Sequence, residues 1–261
     1  MLEVEKLSKS FYSGFLIRRR FDAVKEVSFS LSRGKALGIV GESGSGKSTI
    51  AKLVARLLKP TSGRIYFNGT EITSLYDKEF RSFRPRIQII FQHPETALNP
   101  RMKIYDSIAE PLRIHRLVGS RREERARVKE LIREVNLPTE LLSRYPAMCS
   151  GGEVQRVVIA RILALEPELV VADEPTSMLD VSVQAQVLSL MKRLQRDRRI
   201  SYLFISHDVG VVKAFCDEVL VLRRGEVVEH GKSERVFLSP SHEYTRMLVQ
   251  ASNVSCMANN S

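Results

Sequence analysis

The sequence predicts an α/β fold with a mixed central sheet, an antiparallel β region and an inserted helical region. Short apolar segments, such as residues 36–40 and 169–172, alternate with helical stretches, as parallel strands buried on both faces do. Residues 24–32 instead mix apolar and polar positions, which is typical of a half-buried antiparallel strand. Residues 95–145 have helical spacing and contain no convincing strand.

The composition is that of an ordinary globular protein. The 261 residues suffice for one large domain or two small ones, and 43% of them are hydrophobic and 27% charged. No segment approaches the roughly 18 continuous apolar residues of a transmembrane helix, and the first residues lack a signal-peptide core. The widely spaced Cys149, Cys216 and Cys256 fit a reducing compartment and form no metal-ligand pattern. We therefore expect a cytoplasmic protein, on or off a membrane surface.

The formal charge of +11 admits nucleic acid or an anionic membrane face as partners. The charge clusters at residues 18–20 and along residues 113–129, where acidic residues are interleaved. Few aromatic residues accompany either cluster, so a surface that stacks nucleic-acid bases is not indicated. We interpret the second cluster as a solvated helix face and expect no nucleic-acid partner.

The chain begins with strands at 2–12 and 24–32, joined by a polar and basic loop at 13–22. Phe11 and Tyr12 stand at the end of the first strand. An aromatic ring at this place can stack on an adenine, or it can pack on the core as a strand-end residue. The residues themselves leave both alternatives open. Of the pair, we assign Tyr12 to the stacking role.

A glycine-rich loop follows the strand at 36–40 and precedes a helix at 50–58. It fits the pattern G-x-x-x-x-G-K-[ST], whose glycines let backbone N–H groups turn towards a polyphosphate. Lys47 supplies a charge for the outer phosphates, and the Ser48 hydroxyl is placed to ligate Mg²⁺. A flexible Gly/Ser loop is the alternative, but the strand–loop–helix context favours a phosphate site. The predicted nucleotide-binding residues are Gly41, Ser43, Gly44, Ser45, Gly46, Lys47, Ser48 and Thr49.

The next elements are a strand at 64–67, a hairpin turn at Asn68-Gly69 and a short helix near Glu79-Phe80. An apolar strand at 87–91 then ends at Gln92, which Pro94 follows closely. A glutamine at a strand end can reach a metal ion or a water near a phosphate. Without further support, it is a surface turn residue.

The helical region at 95–145 leads to a helix at 153–165 that Ser150 is suited to cap. Ser150, Gly151 and Gly152 at a helix N-terminus form a second anion-binding end. Such an end is also found on any ordinary capped helix. In a chain that already contains a phosphate loop, it indicates a second contact with phosphate.

The apolar strand at 169–172 runs into two carboxylates, Asp173 and Glu174. An aspartate at this end of a central strand is where a phosphate-loop protein holds Mg²⁺. Glu174 is then placed to orient and deprotonate an attacking water. Paired acids can also cap a helix or form salt bridges, but a buried Asp173 needs a partner, and a metal ion is the natural one.

The last part of the chain brings one more polar residue to a strand end. A loop at 177–180 precedes a helix at 181–196, and a core strand at 200–205 ends before His207. Ligands of open α/β sheets bind at such ends, although a single histidine is more often structural. The remaining elements are predicted as a helix at 209–215, a hairpin at 218–230 turned at Arg224-Gly225, helices at 233–238 and 242–250, and a polar tail at 252–261.

Together these motifs resemble the nucleotide-binding subunit of the ATP-binding-cassette (ABC) family of P-loop NTPases. The order matches throughout: the phosphate loop at 41–49, Gln92, Ser150-Gly151-Gly152, the acidic strand at 169–174, the loop at 177–180 and His207. The resemblance covers about residues 2–250. It implies an ABC-type nucleotide-binding domain that binds and hydrolyses ATP with Mg²⁺.

The resemblance also implies a head-to-tail dimer with two ATP molecules at its interface. Each ATP would lie on one subunit's phosphate loop and be covered by the other subunit's signature helix. Ser150, Gly151, Gly152 and Asp180 would then contact the partner's nucleotide. Within one chain, the metal would be served by Ser48, Gln92 and Asp173, and the chemistry by Glu174, His207 and Gln92.

The local sequences at residues 98–102, 180–186 and 240–245 are similar to those of the peptide/nickel importer branch of this family. That branch places two different ATPase subunits beneath two permease subunits, with an extracytoplasmic solute-binding protein as an indirect partner. We therefore expect a peripheral protein at the cytoplasmic face of the inner membrane that energises import of peptides or of nickel and metal chelates. A homodimer is the other arrangement. A soluble ABC ATPase without transport, attached to a phosphonate-degrading complex or to nucleic acid, is the alternative function.

Three residues depart from the family pattern. Cys149 stands where leucine is usual, Glu153 where glutamine is common, and Met178 where a small residue is usual. Cys149 either carries a lowered thiol pKa beside a helix N-terminus or fills the leucine's space. Many members of the branch hold an iron–sulfur cluster in a cysteine-rich C-terminal segment. With only Cys256 in that part of the sequence, we expect no cluster.

The predicted domain organisation is one ABC ATPase domain over residues 1–251, followed by the polar tail. Its parts are a core with an antiparallel β subdomain at 1–94 and 146–232, a helical subdomain at 95–145, and C-terminal helices at 233–251.

Overall fold

The computed structural model describes residues 1–13 and 19–258, in which two sheets are surrounded by helices. The strands are β1 (Leu2–Ser13), β2 (Arg19–Leu31), β3 (Ala36–Val40), β4 (Ser62–Phe67), β5 (Thr70–Glu71), β6 (Ile87–Ile90), β7 (Leu169–Asp173), β8 (Ser201–Ile205), β9 (Glu218–Arg223) and β10 (Glu226–Lys232). The α-helices are α1 (Lys47–Val54), α2 (Asp77–Phe80), α3 (Ile104–Ile114), α4 (Arg121–Glu134), α5 (Gly151–Leu163), α6 (Val181–Arg198), α7 (Val209–Phe215), α8 (Ser233–Leu238) and α9 (Glu243–Ala258). Short 3₁₀ turns lie at Pro94–Ala97, Thr139–Ser143 and Pro146–Met148.

The two sheets confirm the predicted combination of a mixed and an antiparallel sheet. The mixed sheet has the order β10-β9-β3-β8-β7-β6, in which only β10 runs antiparallel to its neighbour. The other sheet, β2-β1-β4-β5, is antiparallel throughout. Because β3, β6, β7 and β8 are parallel, their carboxyl ends meet at one edge of the mixed sheet. The phosphate loop, Gln92, Glu174 and His207 follow β3, β6, β7 and β8, and Asp173 is the last residue of β7.

Burial on both faces explains why the central strands are continuously apolar. In β7, Leu169 and Val171 pack towards the antiparallel sheet and α1, whereas Val170 and Ala172 pack towards the helices on the other face. The five residues of β3 alternate in the same way and are all buried. The mixed sheet is therefore the middle layer, with helices packed on one face and the antiparallel sheet and α1 packed on the other.

The region predicted to be helical contains α3 and α4, and α5 packs against both. The charged helix α4 presents most of its arginines to solvent, as expected, but Glu124 is buried. Its carboxylate accepts hydrogen bonds from Arg113 at 2.7 Å and from the Tyr105 hydroxyl at 2.8 Å. The Arg113 guanidinium lowers the pKa of Glu124 to about 2. This ion pair fixes α4 to α3.

Several boundaries differ from the sequence prediction; α1, for example, spans Lys47–Val54 where a helix at 50–58 is predicted. The first hairpin is longer than expected, because β1 continues to Ser13 and β2 begins at Arg19, and residues 14–18 lie outside the described part. Helix α9 extends to Ala258, so the polar tail expected at 252–261 begins as helix. Nothing between residues 243 and 258 is glycine or proline, the residues that end helices. Within residues 1–13 and 19–258, the helices lack the combination of length and hydropathy that crossing a bilayer requires.

Candidate functional site

The phosphate loop connects β3 to α1 at the carboxyl edge of the mixed sheet. Gly46 is the N-cap of α1 and has φ 108°, a left-handed conformation that glycine adopts without cost. A Cβ at this position would collide with the carbonyl oxygen of Ala23 in β2. Residues 42–44 are exposed, and so is Ser48. The loop is therefore pressed against β2 at its end while its crest and the start of α1 remain open to a ligand.

The Lys47 side chain is buried beneath the loop and lies along it. Its Nζ donates hydrogen bonds to the carbonyl oxygens of Gly41, at 2.7 Å, and Glu42, at 2.8 Å. Burial lowers the pKa of the ammonium, and the charges of Glu174 and Asp173 oppose this effect. No carboxylate of the described residues forms an ion pair with it. The lysine is a cation held by neutral carbonyls, which an anionic ligand can engage.

Ser48 and Asp173 form a pair of oxygen ligands between α1 and β7. The Ser48 Oγ donates a hydrogen bond to Asp173 Oδ1 at 3.1 Å. Asp173 is buried, and burial raises the pKa of its carboxyl while the bond from Ser48 opposes the rise. A buried carboxylate beside a hydroxyl suits a hard divalent cation, which binds through oxygen and would offset the desolvation of the charge.

Glu174 receives two polar side chains from neighbouring strand ends. Its Oε2 accepts from Gln92 Nε2 at 3.3 Å and contacts His207 Nδ1 at 3.1 Å. Its backbone N–H donates to the Ile205 carbonyl at 2.9 Å, and its φ of 49° is uncommon for a residue other than glycine. The side chains that follow β6, β7 and β8 thus meet at one carboxylate.

The signature residues form a second group with the loop before α6. Ser150 caps α5 through a capping box, in which Glu153 N donates to Ser150 Oγ and Ser150 N donates to Glu153 Oε2. Gly152 lies against Val183, so closely that a Cβ would collide with the valine. Asp180 caps α6 by accepting from Val183 N at 2.9 Å. Among the described residues, no hydrogen bond joins this group to the phosphate loop.

Tyr12 stands near the tip of the β1–β2 hairpin, opposite Arg20. Its side chain is 63% exposed, so it does not pack on the core, which was the alternative interpretation. Ala23 of the same hairpin touches the phosphate loop at Gly46. An exposed ring on a hairpin whose other strand, β2, borders the loop is compatible with base stacking, and the stacking role stays a prediction.

The surroundings of Cys149 favour one of its two interpretations. Burial, together with the nearby charge of Glu153, raises the pKa of this thiol, which argues against the lowered pKa that a place before a helix N-terminus would allow. The Sγ lies 3.6 Å from the Tyr145 carbonyl oxygen and packs on the core of the helical region. Cys149 therefore occupies the space of an apolar side chain.

Sequence reasoning missed one residue that contacts the site. The hydroxyl of Tyr244 accepts a hydrogen bond from the backbone N–H of Glu42, in the phosphate loop, at 2.9 Å. The tyrosine belongs to α9 and to the segment 240–245, whose sequence indicates only the importer branch that the chain resembles. A buried tyrosine on an amphipathic helix resembles any core residue, so the pattern gave no signal of this contact.

Comparison with known proteins finds that the chain is similar to the ATP-binding proteins of transporters. The family model described as "ABC transporter" matches residues 24–177. The chain is 45% identical over 256 residues to the uncharacterized ABC transporter ATP-binding protein YejF of Escherichia coli, covering 97% of this chain and 48% of YejF. It is 48% identical over 229 residues to the oligopeptide transport ATP-binding protein OppF of the same species, covering 88% of this chain and 69% of OppF. The chain thus spans about half the length of one of these relatives.

A solved structure shares the fold. The dimeric, post-hydrolysis structure of the ATP-binding cassette MJ0796 bound to ADP and Pi matches with a TM-score of 0.80 at 30% identity. The match covers 89% of this chain and 99% of that one. The arrangement of sheets and helices described above is therefore that of a known ATP-binding cassette.

Proposed function

The chain belongs to the ABC transporter family, and on that premise we propose that it binds and hydrolyses ATP to energise an importer of peptides or of nickel and metal chelates. The convergence of Gln92 and His207 on Glu174, beside the Ser48–Asp173 pair, is the observation that carries the proposal. The name of the relative OppF supports a peptide as the solute.

The phosphate loop would hold the triphosphate. Gly44 and Gly46 allow the backbone to turn inward. Lys47 would donate hydrogen bonds to the outer phosphates, either in place of its two carbonyl partners or in addition to them. Gly41, Ser43 and Ser45 belong to the same loop, and Thr49 lies in the first turn of α1. These residues would complete the phosphate site, and Tyr12 would stack on the adenine.

The chain's oxygen ligands fit Mg²⁺, which when bound supplies positive charge that neutralises phosphate oxygens. Ser48 and Asp173 would hold it directly, since their oxygens are already paired at 3.1 Å. Gln92 gives its amide nitrogen to Glu174, which leaves its amide oxygen for the metal shell.

Glu174 would act as the general base towards water. A carboxylate can accept the proton of an attacking water only if it is held in place, and the side chains of Gln92 and His207 fix one of its oxygens. With Nδ1 of His207 directed at Glu174, the opposite nitrogen of the ring is left for the γ-phosphate. The three residues thus position the water and the outer phosphate together.

A second ATPase subunit would complete the site, either a different chain or a second copy. Ser150, Gly151, Gly152 and Asp180 make no hydrogen bond with their own phosphate loop and would contact the partner's nucleotide. Apolar side chains around them are exposed, among them Met148, Met178 and Val181. The dimeric cassette MJ0796 supports the same arrangement. ATP binding would close the dimer, and hydrolysis would reopen it.

Two permease subunits are the proposed membrane partners, with a solute-binding protein outside the membrane as an indirect one. A groove of about 400 Å³ lies between β6, α3 and α5, near Gln92. Its lining includes the apolar Ile89, Phe91 and Ile114, and it would receive a cytoplasmic helix of the permease. The protein would then sit at the cytoplasmic face of the inner membrane as a peripheral subunit.

Affinity purification from detergent-solubilised membranes tests this function. We expect membrane permease subunits to co-purify with the wild-type chain and to be lost from Ile114→Asp, which places a charge in the groove. Leu57→Asp changes another exposed apolar residue outside the groove and should retain them. The net charge of +11 favours a second candidate, a nucleic-acid-associated ABC ATPase without transport. Salt-sensitive nucleic-acid binding without permease subunits would establish that candidate instead.

A further inference from the structure

We propose that Tyr244 is a positioning residue of the phosphate loop, so that the C-terminal helix α9 is a structural part of the nucleotide site. The inference rests on the proposed function, since it assigns a role towards the same bound nucleotide. The residue lies 202 positions after Glu42, the loop residue that it contacts.

Both backbone groups of Glu42 are held. Its N–H donates to the Tyr244 hydroxyl at 2.9 Å, and its carbonyl accepts from Lys47 Nζ at 2.8 Å. The Tyr244 side chain is 1% exposed, so water cannot readily replace the hydroxyl. The tyrosine therefore binds the N–H of Glu42, and the lysine binds its carbonyl. Together the two side chains fix the backbone of the loop at Glu42.

The tyrosine ring is part of a wall that supports the rear of the loop. The guanidinium of Arg223, at the end of β9, lies over the ring at 4.9 Å from its centre, a cation–π contact. Two residues on, the N–H of Gly225 donates to the Ser45 carbonyl at 2.9 Å. Gly41 lies directly against the Leu222 carbonyl. The β9–β10 hairpin and α9 thus support the loop at three places.

The start of α9 is fixed to the same hairpin. The carboxylate of Glu229, in β10, accepts from the backbone N–H of Ser241 at 2.8 Å and of His242 at 3.1 Å. His242 Nδ1 in turn accepts from the N–H of Tyr244 at 3.1 Å. Because these bonds set where α9 begins, the hydroxyl reaches Glu42 from a fixed position.

This placement should affect nucleotide binding more than turnover. Loop N–H groups bind phosphate best when they are already oriented, and a loop that must first be ordered binds more weakly. Tyr244→Phe keeps the ring and its contact with Arg223 but leaves the Glu42 N–H without its partner. Losing one such hydrogen bond is expected to weaken ATP binding about fivefold, which corresponds to about 1 kcal/mol. The residues that orient water are unchanged, so kcat should fall less than twofold.

Titration of the 261-residue chain with a fluorescent ATP analogue tests the proposal, together with KM, kcat and the thermal midpoint. The matched control is Tyr202→Phe, which removes the hydroxyl of an equally buried tyrosine that pairs with Ala36, at the opposite end of β3 from the loop. We expect Tyr244→Phe to raise Kd and KM about fivefold and to speed hydrogen exchange of the amides at 38–47. The control should change neither.

The outcomes separate this inference from the proposed function. Failure of the wild-type chain to bind ATP would refute the function itself. A wild-type chain that binds ATP, with Tyr244→Phe binding equally well, would overturn the role of Tyr244. Should that variant not fold, Arg223→Gln frees the ring without removing the hydroxyl. It is expected to weaken binding in the same direction but by less, and unchanged binding would also overturn the proposal.

Discussion

Glu174→Gln separates ATP binding from hydrolysis most cleanly. The amide is isosteric with the carboxylate and its oxygen can still contact Gln92 and His207, so the local structure should persist. Glutamine can adopt the uncommon backbone conformation at φ 49° as readily as glutamate does. What is lost is the ability to accept a proton from water.

The expected loss follows from that single function. General-base catalysis contributes about 10²- to 10⁴-fold, or about 2.7 to 5.4 kcal/mol at 1.36 kcal/mol for each factor of ten. ATP affinity should stay the same or increase, because a negative charge is removed from beside Asp173 and the triphosphate. The variant should therefore bind ATP and release almost no phosphate.

Steady-state phosphate release at saturating ATP measures this loss, and fluorescent-nucleotide titration measures affinity. Glu166→Gln is the matched control, because Glu166 also has a positive φ, of 51°, but its carboxylate forms only an exposed ion pair with Arg127. Exposed pairs contribute about 0–1 kcal/mol, so this control should bind and turn over normally. Turnover of Glu174→Gln within tenfold of wild type would refute the assignment of the general base.

Two further substitutions probe the loop and the metal ligands. Asp173→Asn should raise the thermal midpoint of the nucleotide-free chain, because burial disfavours the ionised carboxyl. In the wild-type chain, ATP with Mg²⁺ should raise the midpoint more than ATP with EDTA, and the variant should lose this difference. An unchanged Mg²⁺ effect in thermal denaturation would contradict the assignment. Gly46→Ala should abolish binding of a fluorescent nucleotide, since its Cβ would collide with the Ala23 carbonyl, whereas Gly69→Ala, with φ 79° but open space, should retain it; equal binding by both variants would show that the fit against Ala23 is unimportant.

The chemistry of the site could be read from the sequence because it depends on local patterns. Asp173, Glu174 and His207 each follow an apolar strand, and parallel strands necessarily bring such residues to one edge. The two turns at Asn68-Gly69 and Arg224-Gly225 were likewise predicted by residues that adopt positive φ, and the structure confirms both.

What could not be predicted depends on contacts between distant segments. Nothing in the residues near Tyr244 indicates that its hydroxyl meets Glu42, because both lie on elements whose relative position is set by the whole fold. The direction of the pKa shift of Cys149 depends on its packing in the helical region, so the residues around it in the sequence left both alternatives open. The end of α9 at Ala258 was missed because the small and polar residues at 252–258 include no strong apolar pattern, although none of them prevents a helix.

The central claim is that the phosphate loop forms only part of an ATP site, which a second subunit's Ser150 helix completes. Phosphate release per subunit, measured across a range of protein concentrations while light scattering records the oligomeric state, tests it directly. Activity should be very low in the monomer and should rise as dimers form or when the partner subunit is added. Full activity from a strictly monomeric sample, independent of concentration, would contradict the claim.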